Sequence, residues 1–197
     1  SCKQLSYAAR HGDTGVGEMG RIAHLFAAAN MIIRQDMATA TGGMMMKMKE
    51  KIVDPKTALK DSKSMILLSR RFNTGFMDGW YGLPAGHVRP TERIHETVMR
   101  EAKEELGIEV DPAEISVMST MHRLNKKREY MDFFCMVNSW KGPIVNNEPD
   151  KCDDLQFFAV DNLPENTIEH VRQGIHCVFN NIPFSEHGVE GMNQKVG

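Results

Sequence analysis

The stretch that decides the reading is GHVRPTERIHETVMREAKEELGI, residues 86–108. Pro90 and Thr91 give a helix start signal, with Thr91 as N-cap and Glu92 suited to the positive end. Ile94, Val98, Ala102 and Leu106 recur every fourth residue and form an apolar stripe, and Gly107 stands where a left-handed C-cap is wanted. At about 100° per residue, Glu105 falls roughly 40° from Glu101, and Glu104 roughly 60° to the other side. All three carboxylates therefore leave one sector of the helix, at the edge of its buried stripe. A buried carboxylate needs a cation or strong donors, because desolvating its charge costs several kcal/mol. Mg²⁺ suits such an oxygen-rich sector, and Arg100 can fix one carboxylate in place by a bidentate pair. The plainer alternative is an acidic, solvated helix face, which is common in proteins.

Outward from this helix the chain alternates strands and turns. SMILLSRR (64–71) is a strand ending in Arg70 and Arg71, and the next turn carries Asn73, Gly75, Asp78 and Gly79. Residues 81–88 are expected to return as a strand, with Pro84 at an edge or irregular position. Downstream, 114–123 and 129–140 read as a strand pair joined by the basic turn LNKKR, and 155–160 as a further short strand. Ile168, Val171, Ile175, Val178 and Phe179 give the apolar face of a second helix. Upstream, 21–34 is apolar and β-branched enough for a strand, although its alanines also permit a helix. Residues 1–19 are expected to be a flexible arm, and the tail from Pro183, with 185–197 outside the domain, poorly ordered. Residues 35–62, with Gly42-Gly43 and the methionines 44, 45, 46 and 48, look like an insertion in a domain spanning 20–184. That methionine cluster offers a soft apolar surface, or packs as a mobile loop. Two separated helices among strands give an α/β class with a mixed sheet.

Composition sets the outer bounds. With 197 residues the chain builds a real core without disulfides. A net charge of −2 gives no general reason to expect nucleic-acid or membrane binding, and no apolar run approaches the ~20 residues of a membrane span. Cys2, Cys135, Cys152 and Cys177 are widely spaced without a C-x-x-C pair, as expected of reduced thiols in the cytoplasm. The N-terminus lacks the apolar run of a signal peptide, and Asp13 and Glu18 argue mildly against a transit peptide. A start at Ser1 leaves room for a targeting segment removed earlier.

The full spacing carries more than the acidic helix alone. Gly86, five residues, Glu92, seven residues, Arg100-Glu101-Ala102, one residue, Glu104-Glu105, one residue and Gly107-Ile108 resemble the Nudix box at every specified position. With residue frequencies of roughly 5–7 %, a chance match is about 10⁻⁹ per starting position. The flanks are similar too: LLSRRFNTGFMDGWYGLPAGH precedes the box as in many Nudix enzymes, with Ala85 where a glycine is usual. NNEPDKCDDLQFFAVDNLP resembles the late stretch of members that act on nucleotides. The resemblance implies the Nudix fold, a mixed sheet sandwiched between helices (α/β/α). It implies hydrolysis of a diphosphate linkage in a nucleoside diphosphate derivative, supported by Mg²⁺, with Mn²⁺ as a substitute. By position, Glu101 and Glu105 are the main metal ligands, and Glu104 is a ligand or the base. The Gly86 carbonyl completes the shell, while Glu92 supports Arg100. Homodimers are frequent in the family, and the methionine insertion is one place for such a contact.

Other residues are candidates with plainer readings beside them. Glu148 is a rival base and ligand, or simply a solvated loop acid beside Pro149. Arg70 and Arg71 are candidates to contact phosphates, or are solvated strand ends. The turn His122, Arg123, Lys126, Lys127 and Arg128 either guides an anionic substrate or is an ordinary hairpin. Of Phe157 and Phe158, one is expected in the core and the other is free to stack on a base. His87, beside the metal-bearing turn, is weak as a site residue by itself. The leading expectation is a nucleoside triphosphate-type substrate, giving a monophosphate plus pyrophosphate or phosphate. The alternatives are a nucleotide sugar, an mRNA cap or an isoprenoid diphosphate, or a nucleotide-sensing module without turnover.

Overall fold

The computed structural model describes residues 25–36, 64–124 and 128–188. The N-terminal arm, nearly all of the methionine-rich insertion, the lysines of the basic turn and residues 189–197 lie outside the described residues.

Strand formation follows from apolar runs that are buried on both faces. β1 (Leu25–Asp36), β2 (Ser64–Arg71) and β6 (Glu129–Val137) supply the centre of one mixed sheet. Alternate residues of each run go to opposite sides. Ile32, Ile66, Leu68, Phe134 and Met136 pack in one core, while Met31, Ile33, Leu67, Cys135 and Val137 pack in the other. β1 is the seam of the sheet. Its first nine residues run parallel to β6, and Arg34–Asp36 pair antiparallel with the start of β2. β5 (Ile115–Leu124) lies antiparallel to β6, with a bulge between Val117 and Ser119. β7 (Cys152–Ala159) lies antiparallel to β2, shifting register at the two arginines.

The strand expected over 81–88 is divided. β3 (Tyr81–Gly82) pairs with the end of β2, and β4 (Ala85–His87) with the middle of β1. Pro84 stands between them, and its carbonyl accepts the Met31 N–H at 2.9 Å. The residues after Pro183, expected to be loose, form β8 (Phe184–His187), parallel to β5. The pairing begins where Thr120 N–H reaches the Pro183 carbonyl at 2.9 Å.

Two helices cover the sheet. α1 (Ile94–Leu106) buries Val98, Ala102 and Leu106 against the core containing Met31 and Cys135, with Ile94 partly buried beside them. α2 (Glu169–Phe179) buries Val171, Ile175 and Val178 on the opposite side. The layers are therefore α/β/α, as expected. Among the described residues, no helix is long and apolar enough to cross a membrane.

Candidate active site

α1 begins two residues later than its sequence signal suggests. Thr91 is not the N-cap: its φ is +69°, in the turn where the Glu92 N–H returns to the Arg89 carbonyl. Arg93 is the cap, and the Glu96 carboxylate accepts its N–H at 2.7 Å. The shift frees Glu92 from a dipole role and turns it onto Arg100. Glu92 Oε1 accepts Arg100 Nε at 2.7 Å and Oε2 accepts Nη2 at 3.0 Å, a bidentate pair. Thr97 Oγ1 and the Arg89 N–H also donate to the same carboxylate. These donors, Arg100 first, hold the Glu92 carboxyl down at about 2. The other edge of the guanidinium reaches the carboxylates of Glu101 and Glu104, the latter at 3.1 Å, and Nη2 donates to the His87 carbonyl at 3.2 Å. Arg100 thus ties the helix to the turn before it.

The acids differ in their surroundings. Glu101 is 12 % exposed and lies against Gly86 of β4, where an added Cβ would overlap its carboxylate. Glu104 is 46 % exposed and is shared by Arg100 and Arg89. Glu105 points under the helix and accepts the Ala85 N–H at 3.1 Å. Burial, then repulsion from Glu101 and Glu148, push its carboxyl up to about 8.

Glu148 is brought to this point by the end of α1 itself. Gly107 takes φ +72°, and the C-terminal carbonyls of α1 are closed by a loop from a distant part of the chain. Val145 and Asn147 N–H bond the carbonyls of Leu106 and Glu105 at 3.0 Å each, and Asn147 Nδ2 bonds that of Lys103 at 3.3 Å. Asn146 then accepts the Glu148 N–H at 3.1 Å, and Lys151 Nζ donates to Glu148 Oε1 at 2.7 Å. All four acids line one cavity of about 720 Å³, and Arg70, Arg71, Arg89 and Lys151 line its basic portion.

The donor set fits a divalent cation. In this side-chain arrangement the single charge of Arg100 is shared among Glu92, Glu101 and Glu104, Arg89 also reaches Glu104, and Lys151 pairs with Glu148, so the cluster keeps a negative excess. No three acidic, histidine or cysteine side chains among the described residues already converge as a cage. Glu105, however, meets a single backbone donor and two like charges, offset only in part by the more distant charge of Lys151. A hard cation with oxygen preference is the group that relieves this crowding.

The NUDIX domain model matches residues 57–176, more than half of the chain. This chain belongs to the Nudix family. It is 28 % identical over 102 residues to the NAD-capped RNA hydrolase NudC of Stutzerimonas stutzeri (strain A1501), covering 50 % of this chain and 33 % of that protein. It is 23 % identical over 106 residues to Nudix hydrolase 8 of Arabidopsis thaliana, covering 54 % of this chain and 27 % of the relative. The matches therefore span a third or less of those relatives' length. Among solved structures, a MutT NUDIX hydrolase from Burkholderia pseudomallei is similar, with TM-score 0.57 and 21 % identity. The match covers 78 % of this chain and 97 % of that one. A MutT/nudix family protein from Enterococcus faecalis has TM-score 0.60 at 15 % identity, over 84 % of this chain and 65 % of that one. These structural likenesses carry the Nudix fold.

Within this Nudix domain the structure gathers every residue expected to do chemistry: Gly86, Arg100, Glu101, Glu104, Glu105, Glu148, Arg70 and Arg71 all line the cavity. Other expectations fall away. Arg123 is bound to the buried Asp132 and stacks at 4.1 Å on Tyr130, while His122 bonds Glu129 at 2.7 Å, so both serve the sheet. Both phenylalanines are partly buried, Phe157 against the α1 core and Phe158 against the α2 core, 5.0 Å from the Tyr81 ring, and neither lines the cavity. Arg89, Asn146 and Lys151, all in the cavity lining, escaped the sequence reading. Asn146 and Lys151 look like loop polarity until Val145 and Asn147 dock on α1 and aim the loop into the cavity.

Proposed function

We propose that the protein hydrolyses the diphosphate linkage of a nucleoside diphosphate derivative, with a nucleoside triphosphate as the best-fitting substrate type. The observation that supports this reading is Glu105: a carboxylate held in a cavity among Glu101 and Glu148, with one backbone donor and, among the described residues, no cationic side chain in direct contact, Lys151 acting on it only through space. Glu101 and Glu105 would hold the cation, with Glu104, Glu148 and the Gly86 carbonyl beside them. Mg²⁺ is the natural occupant and Mn²⁺ a substitute, since both take carboxylate oxygens. When bound, such an ion neutralises the diphosphate and makes water a better nucleophile.

The chain's own groups supply the rest. Gly86 leaves the space into which Glu101 is packed. Arg100, fixed by Glu92, restrains Glu101 and Glu104 from one side. Glu104 or Glu148, both at the cavity wall, would take the proton of the attacking water, and the arginines would face the phosphates. Access of a small anionic nucleotide fits the basic portion of the cavity. The same reading places the protein in the cytoplasm, where such nucleotides are found and where Cys135, Cys152 and Cys177 stay as free thiols.

A nucleotide panel with and without Mg²⁺, read by released phosphate and pyrophosphate, tests the proposal. Turnover that requires the metal and vanishes in Glu101→Gln plus Glu105→Gln is expected. No turnover on any diphosphate, or turnover surviving the double substitution, would remove the hydrolase reading.

A further inference from the structure

The two arginines that end β2 are held in opposite ways. Arg70 gives Nε to Asp153 at 2.7 Å, so its charge is already matched by a carboxylate. Arg71 has no carboxylate within ion-pair reach among the described residues. It is held by neutral acceptors of the β2–β3 loop: the Phe76 carbonyl takes Nε at 2.7 Å and Thr74 Oγ1 takes Nη2 at 3.0 Å. The Phe76 ring lies 5.5 Å from the guanidinium carbon. Of the five N–H groups of a guanidinium these contacts use two, which leaves three.

The loop that holds it is stiff. Asp78 accepts the Thr74 N–H at 2.9 Å, the Thr74 hydroxyl at 2.6 Å and the Gly75 N–H at 3.1 Å. The base of the loop is closed from Gly79 N–H to the Arg71 carbonyl at 2.8 Å and from Arg71 N–H to the Trp80 carbonyl at 2.9 Å. Asn73 and Met77 accept φ of +53° and +54° within it. The carboxylate of Asp78, the one acid of the loop, is thereby committed to Thr74 and Gly75: it meets Arg71 through the shared Thr74 hydroxyl and through space, without a hydrogen bond to the guanidinium. Arg71 and Thr74 line the same cavity as Glu101, Glu104 and Glu105.

We propose that Arg71 receives the terminal phosphate of a polyphosphate substrate, and that Thr74 and Asp78 are positioning residues that keep its open donors in the cavity. The proposal rests on the hydrolase reading above and sharpens its substrate class. A terminal phosphate carries up to two negative charges and three free oxygens, whereas a phosphate esterified on both sides carries one charge and two. A guanidinium with three open donors and no carboxylate bonded to it among the described residues favours the first. Because its neutral tethers fix the fork before the substrate arrives, little rotamer freedom is lost on binding. The site therefore prefers a nucleoside triphosphate to a nucleotide sugar with the same base.

The test uses the full chain. KM and kcat are measured with Mg²⁺ on nucleoside triphosphates and on the matching nucleoside diphosphate sugars, and inorganic tripolyphosphate is titrated calorimetrically without metal. Arg71→Ala is expected to raise KM for the triphosphate and weaken tripolyphosphate by about thirtyfold each, the worth of a lost charge-assisted contact. The nucleotide sugar should change by less than about threefold, as should tripolyphosphate binding to Lys141→Ala, which removes the same charge elsewhere on the surface. Thr74→Val and Asp78→Asn should raise KM for the triphosphate with kcat near the wild type, which a loss of fold would not do. Equal losses on both substrate types, or tripolyphosphate binding to Arg71→Ala as to the wild type, would overturn the assignment. If the wild type turns over no nucleotide, the hydrolase reading fails separately, and the tripolyphosphate titration alone decides whether Arg71 is the anion receptor.

Discussion

α1 and α2 cover opposite faces of one sheet and are both amphipathic, yet only α1 brings carboxylates to the cavity. α2 ends its apolar stripe in contacts made for packing: Gly174 lies so close to the fully buried Phe134 ring that an added Cβ would overlap it. His170, at the start of this helix, is partly buried, and burial, then the charges of Arg123, His187 and Arg71, push its ring down to about 3. α1 instead places carboxylates along the edge of its stripe and balances only some of them. Uncompensated charge at the border of a core reduces stability, and this chain concentrates it on one helix, beside a cavity.

Substitutions on the two helices should therefore fail differently. The largest effect is expected for Glu105→Gln: activity on the best nucleotide of the panel falls by about a thousandfold or more, while the metal-free protein at pH 7 melts no lower than the wild type, because a carboxyl pushed up to about 8 is already largely neutral there and the amide oxygen can still accept the Ala85 N–H. Steady-state kinetics and a melting curve check both halves; a large fall in stability would show that Glu105 is structural. Gly86→Ala comes next. The new methyl displaces Glu101, so activity drops by about a hundredfold, with little change in circular dichroism. On the other helix, Gly174→Ala should reverse that pattern. It should destabilise the fold by about 2 kcal/mol in urea, because Phe134 has nowhere to move, and leave kcat per folded molecule unchanged.

The smallest effect is in the pH dependence of α2. The folded-state pKa of His170 is lowered from an ordinary 6.5 to about 3. As pH falls below 6.5 the unfolded chain takes the proton first, so stability is complete above 6.5 and is lost progressively toward 3. At pH 5 these two values amount to a loss of up to about 2 kcal/mol, and His170→Gln should lose less stability than the wild type between pH 7 and pH 5 in paired urea titrations.

The same contrast explains how much was legible from the sequence. Both helices announce themselves by fourth-residue apolar spacing, and Gly107 is a left-handed cap for a local reason that needs no tertiary context. Helix geometry puts Glu101, Glu104 and Glu105 on one sector, and the resemblance of the whole Gly86–Ile108 spacing to the Nudix box named them as candidate ligands. The start of α1 was misplaced because Pro90-Thr91 carries a cap signal, but Glu92 is drawn to Arg100, eight residues on, which leaves Arg93 as the cap. β8 was invisible because Phe184–His187 becomes a strand only through pairing with β5. The difference between Arg70 and Arg71, two identical neighbours, depends on Asp153 and on the carbonyl of Phe76, one distant in sequence and the other hidden in a loop. Contacts of that kind have no period to read.

The central claim is that the acids of α1 form a divalent-cation site. Titrating Mn²⁺ into the protein and following free Mn²⁺ by electron paramagnetic resonance tests it without any substrate. Saturable binding to the wild type, weakened by at least about tenfold in Glu105→Gln and retained in His170→Gln, is the predicted result. Equal Mn²⁺ affinity in the wild type and Glu105→Gln would contradict it.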